Sequence, residues 1–319
     1  MPGQTRRQTS LLRTRLRLLA LSLAAAFSCV ASPVFIFASD PVEFSRADAA
    51  AAYAAAAVLV KNHTPRHAGT PGARHAAEWI LRRAVASGLQ ARLDVFRAPA
   101  PGGEWDFANV VGEIPCADGP GAPWLVFLSH FDTYPNAGPG FEGANDGAST
   151  TGLLLSLAVT VRRAGPPRFN VAFIWTDGEE ARYAYGPADG FQGSKRAAAE
   201  FKRLGRKVRA AVNLDMLGDR DLHIELPANA TPSLNDLVMR AAARAGLADS
   251  VSIGRNAVYD DYSAFLSAGW PATDLIDFSF GPSNRWWHVP DDTLDKISPE
   301  SLFTAGRISA AVFNLLDER

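Results

Sequence analysis

The sequence predicts one α/β domain built on a mixed, mostly parallel central β-sheet sandwiched by helices. Short continuous apolar runs alternate with helical stretches, as expected for strands covered on both faces. Ionisable residues recur just after those runs, where sites form in open α/β sheets. No internal repeat, low-complexity linker or composition break follows residue 40.

The elements follow in order. Residues Ala49 to Val60 are alanine-rich and helical, and Pro71 to Ala86 carry a second helical pattern ended by Gly88. Arg92 to Arg97 and Asp106 to Ile114 read as strands joined through Pro101-Gly102-Gly103. Apolar runs over Trp124–Leu128, Phe169–Trp175, Val208–Leu214 and Ala272–Phe278 supply the inner strands. Helical stretches over Ala148–Arg163, Ser194–Leu204, Ser233–Ala245 and Glu300–Leu316 separate or follow them.

At 319 residues, with 47% hydrophobic and 20% charged residues, the chain is long enough for a large buried core and is not disordered. The balance of 32 basic to 33 acidic residues argues against nucleic acid as a partner. Residues 1–39 read as an export signal: five arginines in the first 17 residues, an apolar run from Leu18 to Ala31, then small residues. The remaining 40–319 form the expected domain, exported to the periplasm or secreted, with no membrane contact beyond the signal and expected as a monomer. Cys29 falls in the signal segment, and its position also raises lipid attachment. Cys116 is then alone, so thiolate metal sites are excluded and any metal is held by nitrogen and oxygen.

Polar residues gather after the inner strands. His130 and Asp132 follow the first, Asp177, Glu179 and Glu180 the second, and Asp215 the third; His288 lies beyond the last. Asp146 stands in Gly143-Ala144-Asn145-Asp146-Gly147 at the start of a helix. Singly, each has a plain reading: Asp146 or Asp260 as a helix N-cap, Trp286 and Trp287 as packing residues, the rest as solvated turns. His63, His67, His75 and His223 read as surface or structural residues. Together, two histidines and several carboxylates at one sheet edge suit Zn²⁺, which takes imidazole and carboxylate ligands and keeps a position open when catalytic. His130, Asp146, Glu180, Asp215 and His288 are the candidate ligands. Asp132 is placed to orient His130 from behind, and Glu179 to move protons beside Glu180.

The set His130-x-Asp132, Gly143-Ala-Asn-Asp146, Asp177-Gly-Glu179-Glu180, Asn213-Leu-Asp215-Met and Trp287-His288…Asp292-Thr293 resembles the aminopeptidase Y type of zinc exopeptidase, over roughly residues 60 to 318. That resemblance implies a zinc aminopeptidase-like (phosphorylase/hydrolase-like) α/β/α fold with a mixed eight-stranded sheet. Within it the chain is most similar to the glutaminyl cyclases, on three features. Twelve residues, Ala181 to Gln192, separate Glu180 from Gly193-Ser194. Asp260-Asp261…Phe265-Leu266…Gly269-Trp-Pro271 resembles the cyclase stretch that supplies a catalytic aspartate, and Trp287 directly precedes His288.

The resemblance implies one zinc on Asp146, Glu180 and His288, with Glu179 carrying the proton and Asp215 and Asp260 in a hydrogen-bonded acid network. Trp287 and Tyr185 would contact substrate, Tyr185 standing where the animal cyclases place Trp. The expected reaction converts an N-terminal glutamine of a peptide or protein to pyroglutamate, with release of ammonia. The alternative is a zinc aminopeptidase, in which His130 and Asp215 complete a second metal site. A non-catalytic metal-binding relative is the third reading. The long link and Trp287 are expected to narrow the cyclase pocket to one small side chain.

Overall fold

A computed structural model of the protein describes residues 40–318, except 117 and 120. Eight strands form one mixed sheet in the order β1-β2-β4-β3-β5-β8-β6-β7. These are β1 (Gln90–Ala100), β2 (Gly103–Ile114), β3 (Trp124–His130), β4 (Asn170–Thr176), β5 (Val208–Asp215), β6 (Ile224–Leu226), β7 (Val251–Ile253) and β8 (Ala272–Ile276). The inner four, β4-β3-β5-β8, run parallel, while β1 and β2 form an antiparallel hairpin that joins β4 antiparallel.

Every residue of β3 and β4 is buried, because helices cover both faces. On one face, Leu125, Phe127, Phe173 and Val212 pack beneath α1 (Arg46–His63), α3 (Thr150–Arg163) and α7 (Pro299–Asp317). The same core takes in α2 (Pro71–Ala86) and α5 (Pro232–Arg244). On the other, Val126, Leu128 and Ile174 meet α4 (Gln192–Arg203) and α6 (Tyr262–Ser267). Alternation along each strand thus feeds two cores at once. At Gly152 the α1–α3 crossing is so close that a Cβ would lie 2.2 Å from the Ala52 carbonyl oxygen.

The sequence reading places the inner strands and long helices within a few residues. It misses β6 and β7, three residues each and too short to show a period. The run to Phe278 also ends earlier, at Ile276.

The register positions the site. His130 pairs with Thr176, Leu128 with Asn213, and Asp215 with Ile276. The carboxyl ends of β3, β4, β5 and β8 therefore lie level at one edge of the sheet. Residues 1–39, the expected signal with Cys29, lie outside the described residues. Among the described residues no helix is long and apolar enough to cross a membrane.

Candidate metal centre and active site

Two groups of side chains at that edge could each hold a metal: Asp146 with Glu180 and His288, and Asp146 with His130 and Asp215. All five expected ligands are therefore brought together, with Asp146 common to both groups. His288 Nε2 lies 3.3 Å from Asp146 Oδ2 and 3.2 Å from Glu180 Oε2. His130 Nε2 lies 3.1 Å from Asp146 Oδ1 and 3.2 Å from Asp215 Oδ1. Ligands about 2.1 Å from a tetrahedral zinc stand about 3.4 Å apart, so both groups have the spacing of a metal site. Asp146 Oδ2 and Glu180 Oε1 are buried without a hydrogen-bond partner among the described residues, and both residues line the cavity. Unanswered buried acceptors cost about 1–3 kcal/mol each. The donor set, carboxylate and imidazole without thiolate, fits Zn²⁺.

Asp146 sits in a kinked turn, Ala144–Ser149, ahead of α3, and no side chain caps that turn. The N-cap reading of Asp146 is thereby replaced: its carboxylate faces the histidines. Gly147 follows at φ +89°, and a Cβ there would meet the Asp132 carbonyl at 2.8 Å and the His130 ring at 3.1 Å. Asp292 holds the turn from outside, accepting the amides of Asn145 (2.7 Å) and Asp146 (3.1 Å).

Asp132 has a larger task than orienting His130. Its carboxylate is 3.6 Å from His130 Nδ1, beyond a good hydrogen bond. Its two oxygens instead accept the amides of Glu179 and Glu180, each at 3.1 Å. One buried carboxylate thus fixes the Glu179-Glu180 turn while standing behind the histidine.

Charges in the cluster work against one another. Burial opposes the cationic form of His130, yet Asp132, Asp146 and Asp215 raise its pKa well above the imidazole range. Burial likewise opposes His288, but Asp146 and Glu180 push it up to about 10. Asp146 is held below the carboxylate range by these two histidines, against the effect of burial. Burial and the Asp146 charge push Glu180 up to about 8. Glu179, 7% exposed, is raised well above the usual range by burial and by Glu180 and Asp260. A divalent cation relieves such a concentration of carboxylates.

The acid network runs differently from the expected one. Asp215 turns to His130, whereas Asp260 and Asp274 both accept from Asn213 Nδ2, at 2.8 and 3.2 Å. Burial and the Asp215 charge raise Asp260 to about 7. The Asp260 carboxylate also accepts the Asp261 amide, and it does not cap α6. Asp274, fully buried on β8, is the member that sequence reasoning missed. It sits inside an apolar run and looked like an interruption of it.

Aromatic rings frame His288, whose backbone takes the left-handed φ of +56°. Tyr134 stacks on it at 3.9 Å and 9°, and Trp287 at 4.0 Å and 24°. Two rings at that separation must occupy opposite faces, so the imidazole is sandwiched. Trp286 packs edge-on against Phe280 instead, as a structural residue. The link from Ala181 to Gln192 folds onto the site: Tyr185 stacks on Phe191 and its hydroxyl reaches Glu180 Oε2 at 3.4 Å. Asp189 ties this link internally by accepting the amides of Arg182, Tyr183 and Ala184.

The cavity holds about 960 Å³. It is far larger than one small side chain requires, because the link closes only the metal end. The rest continues along α4 and the loop before α6.

The chain is similar to several known proteins. It is 30% identical over 278 residues, 77% of this chain and 70% of the relative, to a glutaminyl-peptide cyclotransferase-like protein of Bos taurus. The crystal structure of an Acidobacteriales bacterium glutaminyl cyclase superposes with a TM-score of 0.79 at 32% identity, covering 88% of this chain and 97% of that one. A probable leucine aminopeptidase of Arthroderma otae is 24% identical over 242 residues, 73% of this chain and 63% of the relative. The model of peptidase family M28 matches residues 109–313, which include Asp146, Glu179, Glu180 and His288, and the chain belongs to that family.

Proposed function

We propose that the protein is a zinc-dependent glutaminyl-peptide cyclotransferase: it converts N-terminal glutamine of peptides to pyroglutamate and releases ammonia. Asp146, Glu180 and His288 would hold the zinc. Bound there, zinc supplies Lewis-acid polarisation of the substrate's γ-carboxamide oxygen. Glu179 lines the same cavity without belonging to either ligand group. It takes a proton from the α-amine as that nitrogen attacks the carbonyl carbon of the side-chain carboxamide, and delivers it to the ammonia that leaves as the carboxamide C–N bond breaks. Asp260, held by Asn213, adds a second carboxyl to the cavity that Glu179 lines. Trp287 and Tyr185 hold the glutaminyl chain compact and shield it from water, so amine and carbonyl meet within one molecule.

The observation that carries this reading is that Glu179 and Asp260 line one cavity beside Asp146, Glu180 and His288. Two buried carboxyls, both raised in pKa and outside the Asp146–Glu180–His288 group, serve a proton relay between two nitrogens of one substrate. Relatedness to cyclases at 30% and 32% identity supports the same reading. The order of charge, apolar run and small residues in 1–39 supports export to the periplasm or secretion, which N-terminal sequencing of the mature protein tests.

The function is tested with glutaminyl and leucyl peptides on one zinc-quantified sample. The expected result is a loss of ~17 Da from the glutaminyl peptide, its peptide bond intact, and one zinc per chain. Release of free leucine faster than any cyclisation, with two zincs bound, would establish the aminopeptidase instead.

A further inference from the structure

The cavity's size needs an occupant. About 960 Å³ is the upper end of clefts that enclose whole drug-sized ligands, about 300–1,000 Å³, and a glutaminyl side chain fills a small part of it. The excess lies along two helices. Lys195, Ala198, Ala199 and Lys202 line it from α4 at the spacing of one helix face. Ser263, Ala264, Ser267 and Ala268 line it from α6 and the residue after it. The two helices are packed together beneath, Phe201 against Phe265 with centroids 6.1 Å apart. Between the two lysines they present to the cavity a floor of small side chains. Tyr185 and Tyr259, 47% and 71% accessible, also line the cavity.

The charge along this floor has one sign. Lys195 donates to the Gly186 and Gly190 carbonyls at 2.6 and 2.8 Å, at the end nearest the metal ligands. Lys202, two turns on, has no ion pair among the described residues. Its helix neighbours Arg196 and Arg203, off this face, are paired with Asp94 and Glu200. The carboxylate that borders the cavity away from the catalytic cluster is Glu225, on β6.

We infer that the trough over α4 and α6 is a binding site for substrate residues downstream of the N-terminal glutamine, selecting peptides with an acidic side chain near position four. The inference rests on the cyclase reading for the direction in which the peptide leaves the site. Lys195 to Lys202 spans about 10 Å of helix, which an extended peptide covers in about three residues. A chain leaving the reacting end near Lys195 therefore brings its fourth residue to Lys202. The small-residue floor accepts side chains of any kind at positions two and three.

The test is binding, read by fluorescence anisotropy of C-terminally labelled pyroglutamyl-Ala-Ala-Glu and pyroglutamyl-Ala-Ala-Ala peptides, which cyclisation does not consume, on the zinc-loaded protein. The acidic peptide is expected to bind about three- to fivefold more tightly, as for a partly exposed ion pair, with the difference fading at high salt. Lys202→Glu is expected to abolish or invert that ratio; Glu225→Gln is expected to retain it. Because both peptides are measured on the same variant, altered folding cancels from the ratio. Equal affinities for wild type, or an acidic preference that survives Lys202→Glu, would overturn the site. Cyclisation of Gln-Ala-amide, assayed beside it, reports on the cyclase reading separately, since the affinity ratio needs no turnover.

Discussion

The His288 imidazole lies face to face with the Tyr134 ring, centroids 3.9 Å apart and planes 9° apart. Tyr134 follows β3 and Asp132, so the strand end that presents one half of the site also clamps a candidate ligand of the other. The clamp matters because His288 stands at a positive φ, where few non-glycine residues rest unaided. A stacked pair is worth about 0.5–1.5 kcal/mol beyond its area. Tyr134→Ala is therefore expected to weaken zinc binding about two- to tenfold, and Tyr134→Phe to leave it near wild type. A zinc competition titration with a chelating dye checks both; equal loss in the two variants would show that the hydroxyl, not the stack, does the work.

Adjacent carboxylates with different tasks should separate under mutation. Glu180 faces Asp146 and His288, while Glu179 belongs to neither ligand group. Glu180→Ala is expected to lower both zinc content and rate. Glu179→Gln should keep zinc near one per chain and cost a rate factor of about 10²–10⁴, the usual worth of a positioned proton carrier. Metal analysis and turnover on one preparation decide it, and zinc loss in Glu179→Gln would exchange the two roles.

Residues that act from a strand end could be read in the sequence, because each apolar run stops at a polar residue. His130, Glu179, Glu180 and Asp215 are of this kind. Asp146 was legible through its glycine flanks, since Gly147 needs a left-handed φ and leaves no room for a Cβ. What the positioning residues hold was hidden, because each meets its partner across a large sequence gap. Asp292 binds amides 146 and 147 residues away, and Tyr134 meets His288 from a different loop. Arg66 stands in sequence between His63 and His67, yet it is fully buried. Charge alone suggested solvent there, and only the fold brings four acceptors around it.

A buried carboxyl next to Asp260 makes stability depend on pH. Burial and the Asp260 charge push Asp261 up to about 7, although Ser194 and Thr176 hydrogen bonds lower it. An acid with a raised folded pKa holds its proton in the native state after the unfolded chain has released it. Its contribution is full below the unfolded pKa, about 4, and is lost as pH rises to about 7. Asp261→Asn mimics the protonated acid. Relative to wild type, its melting temperature should rise as pH goes from about 5 to about 8, by an amount corresponding to about 1–3 kcal/mol. Parallel melts on metal-free protein check the sign; a constant difference across that range would mean that Asp261 holds no extra proton.

Arg66 joins the loops that carry the centre. Its guanidinium donates to the Phe131 carbonyl at 2.7 Å, the Glu142 carbonyl at 3.1 Å, the Gly143 carbonyl at 2.9 Å and the Thr64 hydroxyl at 2.9 Å. Phe131 lies between His130 and Asp132, and Gly143 opens the turn that holds Asp146. The planar fork thus sets the distance between the His130–Asp132 segment and the Asp146 turn. Burial lowers its pKa to about 10, with Asp292, Asp132 and Asp146 supporting the charge, so it stays cationic at neutral pH. Arg66→Met leaves three carbonyls unanswered at about 1–3 kcal/mol each. Local relaxation recovers part of that, and a net loss of about 3–5 kcal/mol is expected. Arg66→Lys should rescue little, because one ammonium cannot reach both loops in the fork geometry. Zinc affinity should fall in both variants under conditions where circular dichroism shows them folded, since the Asp146 turn is then free to move from His130. Chemical denaturation and zinc titration test the two effects separately, and wild-type zinc affinity in folded Arg66→Met would confine Arg66 to holding the fold.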